Sequence, residues 1–388
     1  MEKRLSTAPV FTAACAGMSF FGVTMLSLGP ILGPLNAMVE GANALPSTMS
    51  VGIIIGTILF GPIVDKFGYK WLLILASLFA LAGVQGLATF SDLPLLHTSI
   101  FLLGIGGGIL NGETNALVSD IYDDNKRGGR LGLLGAFYCI GALGWTLLNY
   151  FIPDYRIPLN AVSLVMALFI VSFFFITFPK AKPQENVSVS KSLGLLKYPA
   201  LILFAVVLFF QCAFEGTSGN FTVQYLTNTG GMDNATATLA MTWFTVGMLA
   251  GRLPLGNIMQ KLKELKTLYL YLTIAFVGVV LFLVDSPSAI AAYAAMVLIG
   301  FGAGATFPVV LNYIGGAFKD LSGTAFSIAM FIGLCGQSLG NKFIGVQYDA
   351  ANYGTLPITL IICIAVMMVL VPVETKLSNK LYLTPKIF

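Results

Sequence analysis

Long apolar segments recur along this chain and constrain its fold more than any other feature. Hydrophobic residues make up 57% of its 388 residues and charged residues only 10%, against about 25% charged in soluble domains. An apolar run of about 20 residues can cross a bilayer as an α-helix. Twelve such runs can be separated, at residues 8–35, 45–64, 69–90, 95–122, 128–151, 157–179, 198–228, 235–259, 265–284, 287–313, 320–346 and 353–373. The sequence therefore predicts an all-α membrane protein with twelve transmembrane helices.

The second half of the chain repeats the first. Five residues of the second run recur 195 positions later, the two sets being Val51, Gly52, Gly56, Gly61 and Lys66, and Val246, Gly247, Gly251, Gly256 and Lys261. Three glycines of the fourth run recur 196 positions later, as Gly104, Gly106 and Gly108, and Gly300, Gly302 and Gly304. Because each half has six runs, both halves enter the membrane from the same side, related by a pseudo-twofold axis along its normal. We expect two pseudo-symmetric six-helix bundles, residues 1–180 and 198–388, joined by a hydrated cytoplasmic linker at residues 181–197.

Basic residues predict the orientation of the chain in the membrane. With the N-terminus in the cytoplasm, all of the 21 Lys and Arg residues lie at or near the inner face except Arg156 and Lys342. This asymmetry follows the positive-inside rule, so both termini should be cytoplasmic. We expect a multi-pass plasma-membrane protein, in a bacterial inner membrane. The net charge of +4 then reports topology and not nucleic-acid binding. The five cysteines form no Cys-X-X-Cys pair, so neither a metal site nor a disulfide framework is indicated.

A carboxylate stands inside the fourth apolar run. Glu113 follows three glycines at four-residue spacing, Gly104, Gly108 and Gly112, a spacing that lets another helix approach closely. It has about 16 residues of apolar helix on its outer side and about 9 on its inner side, so it lies within the hydrocarbon. Such a carboxylate is costly to bury and is a functional-site hypothesis by default. The alternative is a structural hydrogen bond to a neighbouring helix, for which a neutral Gln would suffice.

The loop after the second run carries a motif. It reads Gly61-Pro-Ile-Val-Asp65-Lys66-Phe-Gly68-Tyr-Lys70 and resembles the GxxxD(R/K)xGxx signature of the major facilitator superfamily. Further patches together resemble the fucose–galactose–glucose:proton symporter family of sugar transporters, namely Gly112–Asn115, Ala213–Glu215, Asn220–Leu226, Gly251–Arg252 and Phe307–Pro308. The resemblance implies the major facilitator fold and a secondary active transporter that imports a hexose-like sugar by cation symport through alternating access, with a proton as the cation.

Two other transport functions stay open. Proton-coupled fucose permeases of that family carry an acidic residue in the first span, whereas Phe20–Leu35 has none, so a sodium-coupled sugar symporter is the alternative. A proton-driven exporter of drugs or metabolites would keep the same fold. A membrane-embedded enzyme is not expected, because the chain has one histidine, His97, and no acidic residue paired with it. We expect a monomer in the lipid bilayer that binds a small sugar and a coupling cation, without a cofactor, a metal or nucleic acid.

Polar side chains at membrane depth are the candidates for sugar binding. Recognition of a sugar requires several convergent donors and acceptors and an aromatic face. The candidates are Asn115, Gln211, Glu215, Asn220, Asn312 and Gln337, with Trp145 and Tyr138 as aromatic rings. Interhelical hydrogen bonding is an equally good interpretation of Asn312. The resemblance implies a functional acid at Glu215, so proton coupling is assigned to Glu113 and Glu215 together. A neutral Glu113 carboxyl can donate a hydrogen bond to a sugar hydroxyl, whereas the charged form can only accept one.

The signature loop is the candidate cytoplasmic gate. The gate residues are Gly61, Asp65, Lys66 and Gly68, with Arg127 and Arg130 of the next inner loop. Asp65 has two possible partners: one of these two arginines, or the backbone donors at a helix N-terminus in the other half of the chain. Either contact would hold the inner gate shut. The alternative is a solvated loop charge that only sets topology.

Overall fold

The computed structural model describes residues 7–28, 31, 35, 38–40, 42, 45–152, 154–179, 194–232, 234–283 and 288–383. Within them the chain forms twelve long α-helices and no β-strand. The helices are α1 (Thr7–Leu26), α2 (Leu45–Phe67), α3 (Tyr69–Thr89), α4 (Leu93–Ile121), α5 (Asp124–Phe151), α6 (Arg156–Phe175), α7 (Pro199–Asn228), α8 (Asn234–Arg252), α9 (Leu255–Leu283), α10 (Ala289–Ala317), α11 (Ser322–Asp349) and α12 (Thr355–Leu383). The predicted all-α architecture is confirmed.

Eleven of the described helices are long and apolar enough to cross a membrane. The exception is α8, whose sequence NATATLAMTWFTVGMLAGR contains several threonines, an asparagine and an arginine that lower its mean hydropathy. The other helices suffice to make the chain a multi-pass membrane protein. Most of the predicted linker, residues 181–193, lies outside the described residues.

Three predicted helix boundaries are wrong, two of them because of a proline at residue 254. The helix α8 ends at Arg252 and not near residue 259, because Pro254 follows and disfavours the helical conformation at Leu253. The next helix accordingly begins at Leu255, ahead of the predicted residue 265, and is interrupted at Lys263, where φ is 61° and ψ is 166°. The helix α1 ends at Leu26 and not near residue 35.

The chain divides into two compact units. The first comprises Met1–Ile121, Phe137–Ser192 and Asp320–Ser327; in it α4 packs against α1, α2 and α3, and α3 packs against α6. The second comprises Tyr122–Ala136, Leu193–Lys319 and Ile328–Phe388; in it α10 packs against α7, α8 and α9, and α9 packs against α12. Equivalent helices of the sequence repeat therefore make equivalent pairs. Each unit also includes a short segment from the opposite half of the sequence, and the domain boundaries proposed above stay a prediction.

The repeated glycines lie at the equivalent helix pair of each unit. In the first unit, a Cβ atom on Gly52 would lie 2.6 Å from the carbonyl oxygen of Phe101, and one on Gly108 would collide with the carbonyl of Ile53. In the second unit, a Cβ atom on Gly251 would lie 2.6 Å from the carbonyl oxygen of Phe301. Only glycine permits α2 and α4, and likewise α8 and α10, to touch through their backbones.

Lys70 caps the end of α6. Its Nζ donates to the carbonyl oxygens of Phe174 at 2.8 Å and Ile176 at 3.1 Å, where the helix leaves carbonyls without intrahelical partners. We expect Lys70→Met to lower the free energy of unfolding by about 1 kcal/mol, since it removes these bonds and a favourable charge at the helix C-terminus. Thermal unfolding of the purified protein measures this change. The exposed Lys261 serves as the control, and equal unfolding temperatures for Lys70→Met and Lys261→Met would contradict the capping role.

Candidate functional site

Glu113 lies at the interface between α4 and α3. Its side chain is fully buried, and neither carboxylate oxygen has a hydrogen-bond partner among the described residues. Gly106, two turns earlier on the same helix face, packs against Ala76 and Ala80 of α3. The backbone of Leu73, about one turn from Ala76 on α3, approaches the carboxyl group without a hydrogen bond of good geometry. An ionised carboxylate without partners is costly to bury, so this position suits a carboxyl that holds a proton.

Asn115 lies on a different face of α4 from Glu113. Its Nδ2 donates to the carbonyl oxygen of Asn111 at 2.7 Å and contacts the Asn111 Oδ1 at 3.3 Å. Both asparagines are buried. Successive residues of a helix are about 100° apart, so Glu113 and Asn115 are about 160° apart and point in nearly opposite directions. The structure therefore does not bring these two predicted site residues together.

The two aromatic candidates lie on α5 and pack against α1. Trp145 is only 1% exposed, and its Nε1 donates to the carbonyl oxygen of Leu26 at 2.9 Å. Tyr138 is half-buried, and its ring centroid lies 5.5 Å from that of Phe21. The ring of Trp145 is thus covered by protein, and Tyr138 is the more accessible of the two.

The second unit holds a cluster of polar side chains from α7 and α11. Gln211 is fully buried, and its Nε2 donates to the carbonyl oxygen of Ala303 on α10 at 3.0 Å. Its Oε1 has no partner among the described residues. Glu215, one turn further along α7, lies next to the Gln211 amide. Gln337 of α11 packs against α7 at Gly216, the residue after Glu215, where a Cβ atom would lie 2.5 Å from the Gln337 Cγ.

Arg252 adds a buried positive charge to this cluster. Its guanidinium group interacts with the Glu215 carboxylate, and its Nη1 donates to the carbonyl oxygen of Gly135 at 2.8 Å. The residue is 6% exposed. The sequence predicts that Arg252 is one of the basic residues at the inner face and part of a family patch, and does not predict it as a site residue. Its position after Gly251, at the end of an otherwise uncharged helix, was the available signal.

Two other candidates lie apart from this cluster. Asn312 is nine residues after Ala303 on α10, a rise of about 14 Å along the helix, and it lies beside Gly128 at the start of α5. Its Oδ1 is buried and accepts no hydrogen bond from the residues that the structure describes. Asn220 is exposed on α7, one turn beyond Gly216. The structure thus groups Gln211, Glu215 and Gln337, leaves Asn312 near the helix ends, and leaves Asn220 accessible.

Asp65 binds the first turn of α11, which belongs to the first unit. Its carboxylate accepts hydrogen bonds from the backbone N–H groups of Gly323 at 3.2 Å and Thr324 at 2.9 Å, and from the Thr324 hydroxyl at 2.6 Å. Asp65 is 4% exposed. The N-terminus of a helix favours a negative charge, and of the two partners considered above the structure shows the helix N-terminus.

The backbones of α2 and α11 approach each other closely beside the Asp65 hydrogen bonds. A Cβ atom on Gly61 would lie 2.7 Å from the carbonyl oxygen of Gly323, and the Ser327 hydroxyl donates to the Thr57 carbonyl oxygen at 2.5 Å. Gly68 has a φ of 80°, in the left-handed region that favours glycine, and this turn separates α2 from α3. The motif glycines therefore shape the junction that Asp65 binds.

The other charged candidates lie around the start of α5. Arg127 is buried and pairs with Asp124 at 2.7 Å. The guanidinium carbon of Arg130 lies 5.0 Å from the ring centroid of Tyr122. Lys66 is exposed, with its Nζ 5.2 Å from the ring centroid of Phe67.

A second acidic residue also reaches α11. Asp120, at the end of α4, accepts hydrogen bonds from the Tyr69 hydroxyl at 2.5 Å and from the Ser322 hydroxyl at 2.9 Å. Tyr69 and Asp120 are 51 residues apart in the chain, so no local pattern in the sequence links them.

Comparisons with known proteins agree with this architecture. The family model described as Major Facilitator Superfamily matches residues 10–341 and 203–384. The chain is 25% identical over 353 residues to the cis,cis-muconate transport protein of Acinetobacter baylyi, with 84% of the chain and 83% of that protein covered. It is 20% identical over 341 residues to Protein TsgA homolog of Buchnera aphidicola, with 87% of each covered. Its fold resembles a crystal structure of the E.coli fucose:proton symporter, with a TM-score of 0.78, 18% identity, and 94% of this chain and 98% of that chain covered.

Proposed function

Because the chain belongs to the major facilitator superfamily and is therefore a membrane transporter, we propose that it imports a hexose-like sugar together with a proton. The transporter resides in a bacterial inner membrane with both termini in the cytoplasm, and acts as a monomer. Its sequence halves, residues 1–180 and 198–388, are the two bundles that alternate access, and residues 181–197 link them.

The observation that carries the substrate proposal is the polar cluster around Glu215. Glu215 lies next to the Gln211 amide, and Gln337 packs against the neighbouring Gly216. Together these side chains offer donors and acceptors that match neighbouring sugar hydroxyls. Among the described residues the buried Gln211 Oε1 has no partner, so a ligand hydroxyl would satisfy it. Asn220 is exposed five residues beyond Glu215 on α7, about 140° around the helix from it, and would reach a ligand from another face of α7.

The coupling proposal depends on Glu113. Its burial without partners supports a carboxyl that cycles between a neutral and a charged form as the transporter changes state. Glu215 is the second proton-coupling candidate, but it lies next to the Gln211 amide, where both side chains can bind ligand hydroxyls. We therefore assign the proton to Glu113 and sugar binding to Glu215.

Reconstitution into proteoliposomes tests the function. Radiolabelled monosaccharides are offered under an imposed inward proton gradient, an inward sodium gradient, or neither. Accumulation driven only by the proton gradient supports the proposal. Accumulation driven only by sodium establishes the sodium-coupled alternative, and loss of a preloaded amphipathic drug or metabolite in exchange for protons establishes the exporter. A monosaccharide screen by ligand-induced thermal stabilisation identifies the sugar beforehand.

We expect Glu215→Ala to weaken sugar binding by about 1–3 kcal/mol, the usual cost of losing a buried hydrogen bond to a charged group. Asn220→Ala, Gln211→Ala and Asn115→Ala should each have a smaller effect in the same direction. Isothermal titration of the purified variants measures the affinities. Ser338→Ala is the control, because Ser338 follows Gln337 on α11 but is exposed. Unchanged affinity in all four site variants would remove this site assignment.

A further inference from the structure

A groove opens on the surface of the first unit between α3 and α6. Its volume is about 560 Å³, within the range of small-molecule sites. Its floor is mostly apolar and is formed by Leu78, Leu81 and Ala82 of α3 and by Leu164 and Ala167 of α6, together with the buried Ser163. Leu164 is 64% exposed. In a multi-pass membrane protein such an apolar surface is in contact with lipid acyl chains.

One end of the groove is polar. Gln85 and Asn160 also line it, and the Gln85 Nε2 donates to the Asn160 Oδ1 at 3.0 Å. Gln85 lies four residues before the end of α3, and Asn160 lies four residues after the start of α6. At 1.5 Å per residue the pair is about 6 Å from the helix ends. The groove therefore changes from apolar to polar toward the side that the positive-inside prediction places outside.

Charged groups of both signs stand beyond the polar pair. Arg156, the first residue of α6, is exposed, and its Nη2 donates to the Ser91 hydroxyl at 3.3 Å. The helix N-terminus adds partial positive charge at this point. Asp154 is exposed and accepts a hydrogen bond from the Arg156 backbone N–H at 3.1 Å, and the exposed Asp92 follows Ser91 in the chain. A guanidinium group and two carboxylates thus share one rim.

We propose that this groove binds one zwitterionic phospholipid of the outer leaflet, of the phosphatidylethanolamine type. An acyl chain lies on the apolar floor, and the Gln85–Asn160 pair lies at the depth of the ester groups. The phosphate binds the Arg156 guanidinium, which suits phosphate geometry, and the ammonium group lies by Asp154 and Asp92. An anionic headgroup without an ammonium would leave these two carboxylates facing a further negative charge. The proposal does not depend on which substrate is transported.

Native mass spectrometry of the purified, delipidated full chain tests this binding. Phosphatidylethanolamine and phosphatidylglycerol of identical acyl chains are added back in equal amounts. We expect one tightly bound phosphatidylethanolamine per chain. Arg156→Ala, which removes the phosphate ligand, should lower its affinity about tenfold, the scale of one lost charge-assisted hydrogen bond. Ala82→Phe should also lower it about tenfold, because the new ring fills the groove from an exposed position.

Two control variants match these changes. Val165→Phe places the same bulk on an exposed position of α6 outside the groove, and Lys342→Ala removes the other basic residue predicted to lie outside. Both should keep wild-type affinity. Equal affinity in the wild type, Arg156→Ala and Ala82→Phe would overturn the site. Tighter binding of phosphatidylglycerol than of phosphatidylethanolamine would overturn the headgroup assignment.

Discussion

Replacing Glu113 by Gln is expected to abolish pH-driven accumulation of substrate while preserving downhill exchange. Gln resembles the protonated carboxyl in shape and charge, so the variant should fold and bind substrate as the wild type does. It cannot release a proton, and coupling requires that proton binding and substrate binding be linked through two states of the protein. Uptake into proteoliposomes under an imposed pH gradient measures accumulation, and equilibrium exchange in the same vesicles measures the remaining steps.

A matched carboxyl variant controls for the loss of charge. Glu264 lies on α9 near its interrupted start, outside the apolar interior, and Glu264→Gln should accumulate substrate normally. Uphill accumulation in Glu113→Gln would exclude Glu113 from proton coupling. In that case the same experiment on Glu215→Gln decides whether the second buried carboxyl carries the proton.

The position of Glu113 favours an indirect link between its protonation and substrate binding. The sequence alone suggested direct donation from its carboxyl to a sugar hydroxyl. In the structure the carboxyl faces α3, on the side of α4 nearly opposite Asn115. A linkage between protonation and substrate binding would then run through the packing of α3 against α4 and not through a shared hydrogen bond. Retained substrate affinity in Glu113→Gln agrees with this indirect linkage.

The helix packing was readable from the sequence because it depends on repeated backbone requirements. Gly52 and Gly104 in one half, and Gly247 and Gly300 in the other, lie where a Cβ atom would collide with a carbonyl oxygen of the facing helix. A constant offset of 195 or 196 residues carries that requirement into both halves. Helix rise and bilayer thickness likewise predict the depth of Glu113 in the membrane, and this depth stays a prediction.

The hydrogen-bond partners of individual polar side chains could not be predicted from the sequence. Hydropathy gives the depth of a residue but not which neighbouring helix its side chain faces, and Glu113 and Arg252 illustrate this limit. The pair Tyr69 and Asp120 meets only because α3 and α4 pack together. The Trp145 indole donates its hydrogen bond to the Leu26 carbonyl oxygen, and no local pattern in the sequence indicated this partner. These arrangements arise from tertiary contacts that a single sequence does not specify.

The contact of Asp65 with α11 should break and re-form in each transport cycle if it is the intracellular gate. Its carboxylate accepts three hydrogen bonds from Gly323 and Thr324 while almost fully buried. Buried hydrogen bonds to a charged group contribute about 1.5–3 kcal/mol each. We expect Asp65→Ala, which leaves these donors without their acceptor, to reduce the transport rate by an order of magnitude or more, as seen in initial uptake rates.

Crosslinking separates a gate from a merely structural contact. In a background without the five native cysteines, the double variant Asp65→Cys with Thr324→Cys should form a disulfide under oxidation, because the two side chains touch in the wild type. The locked protein should bind substrate but not transport it, and a reducing agent should restore transport. Each single-cysteine variant, oxidised in parallel, controls for the substitutions themselves. A contact that never opens can be crosslinked without loss of transport. Undiminished transport by the oxidised double variant would therefore show that this junction stays closed throughout the cycle and that the gate lies elsewhere.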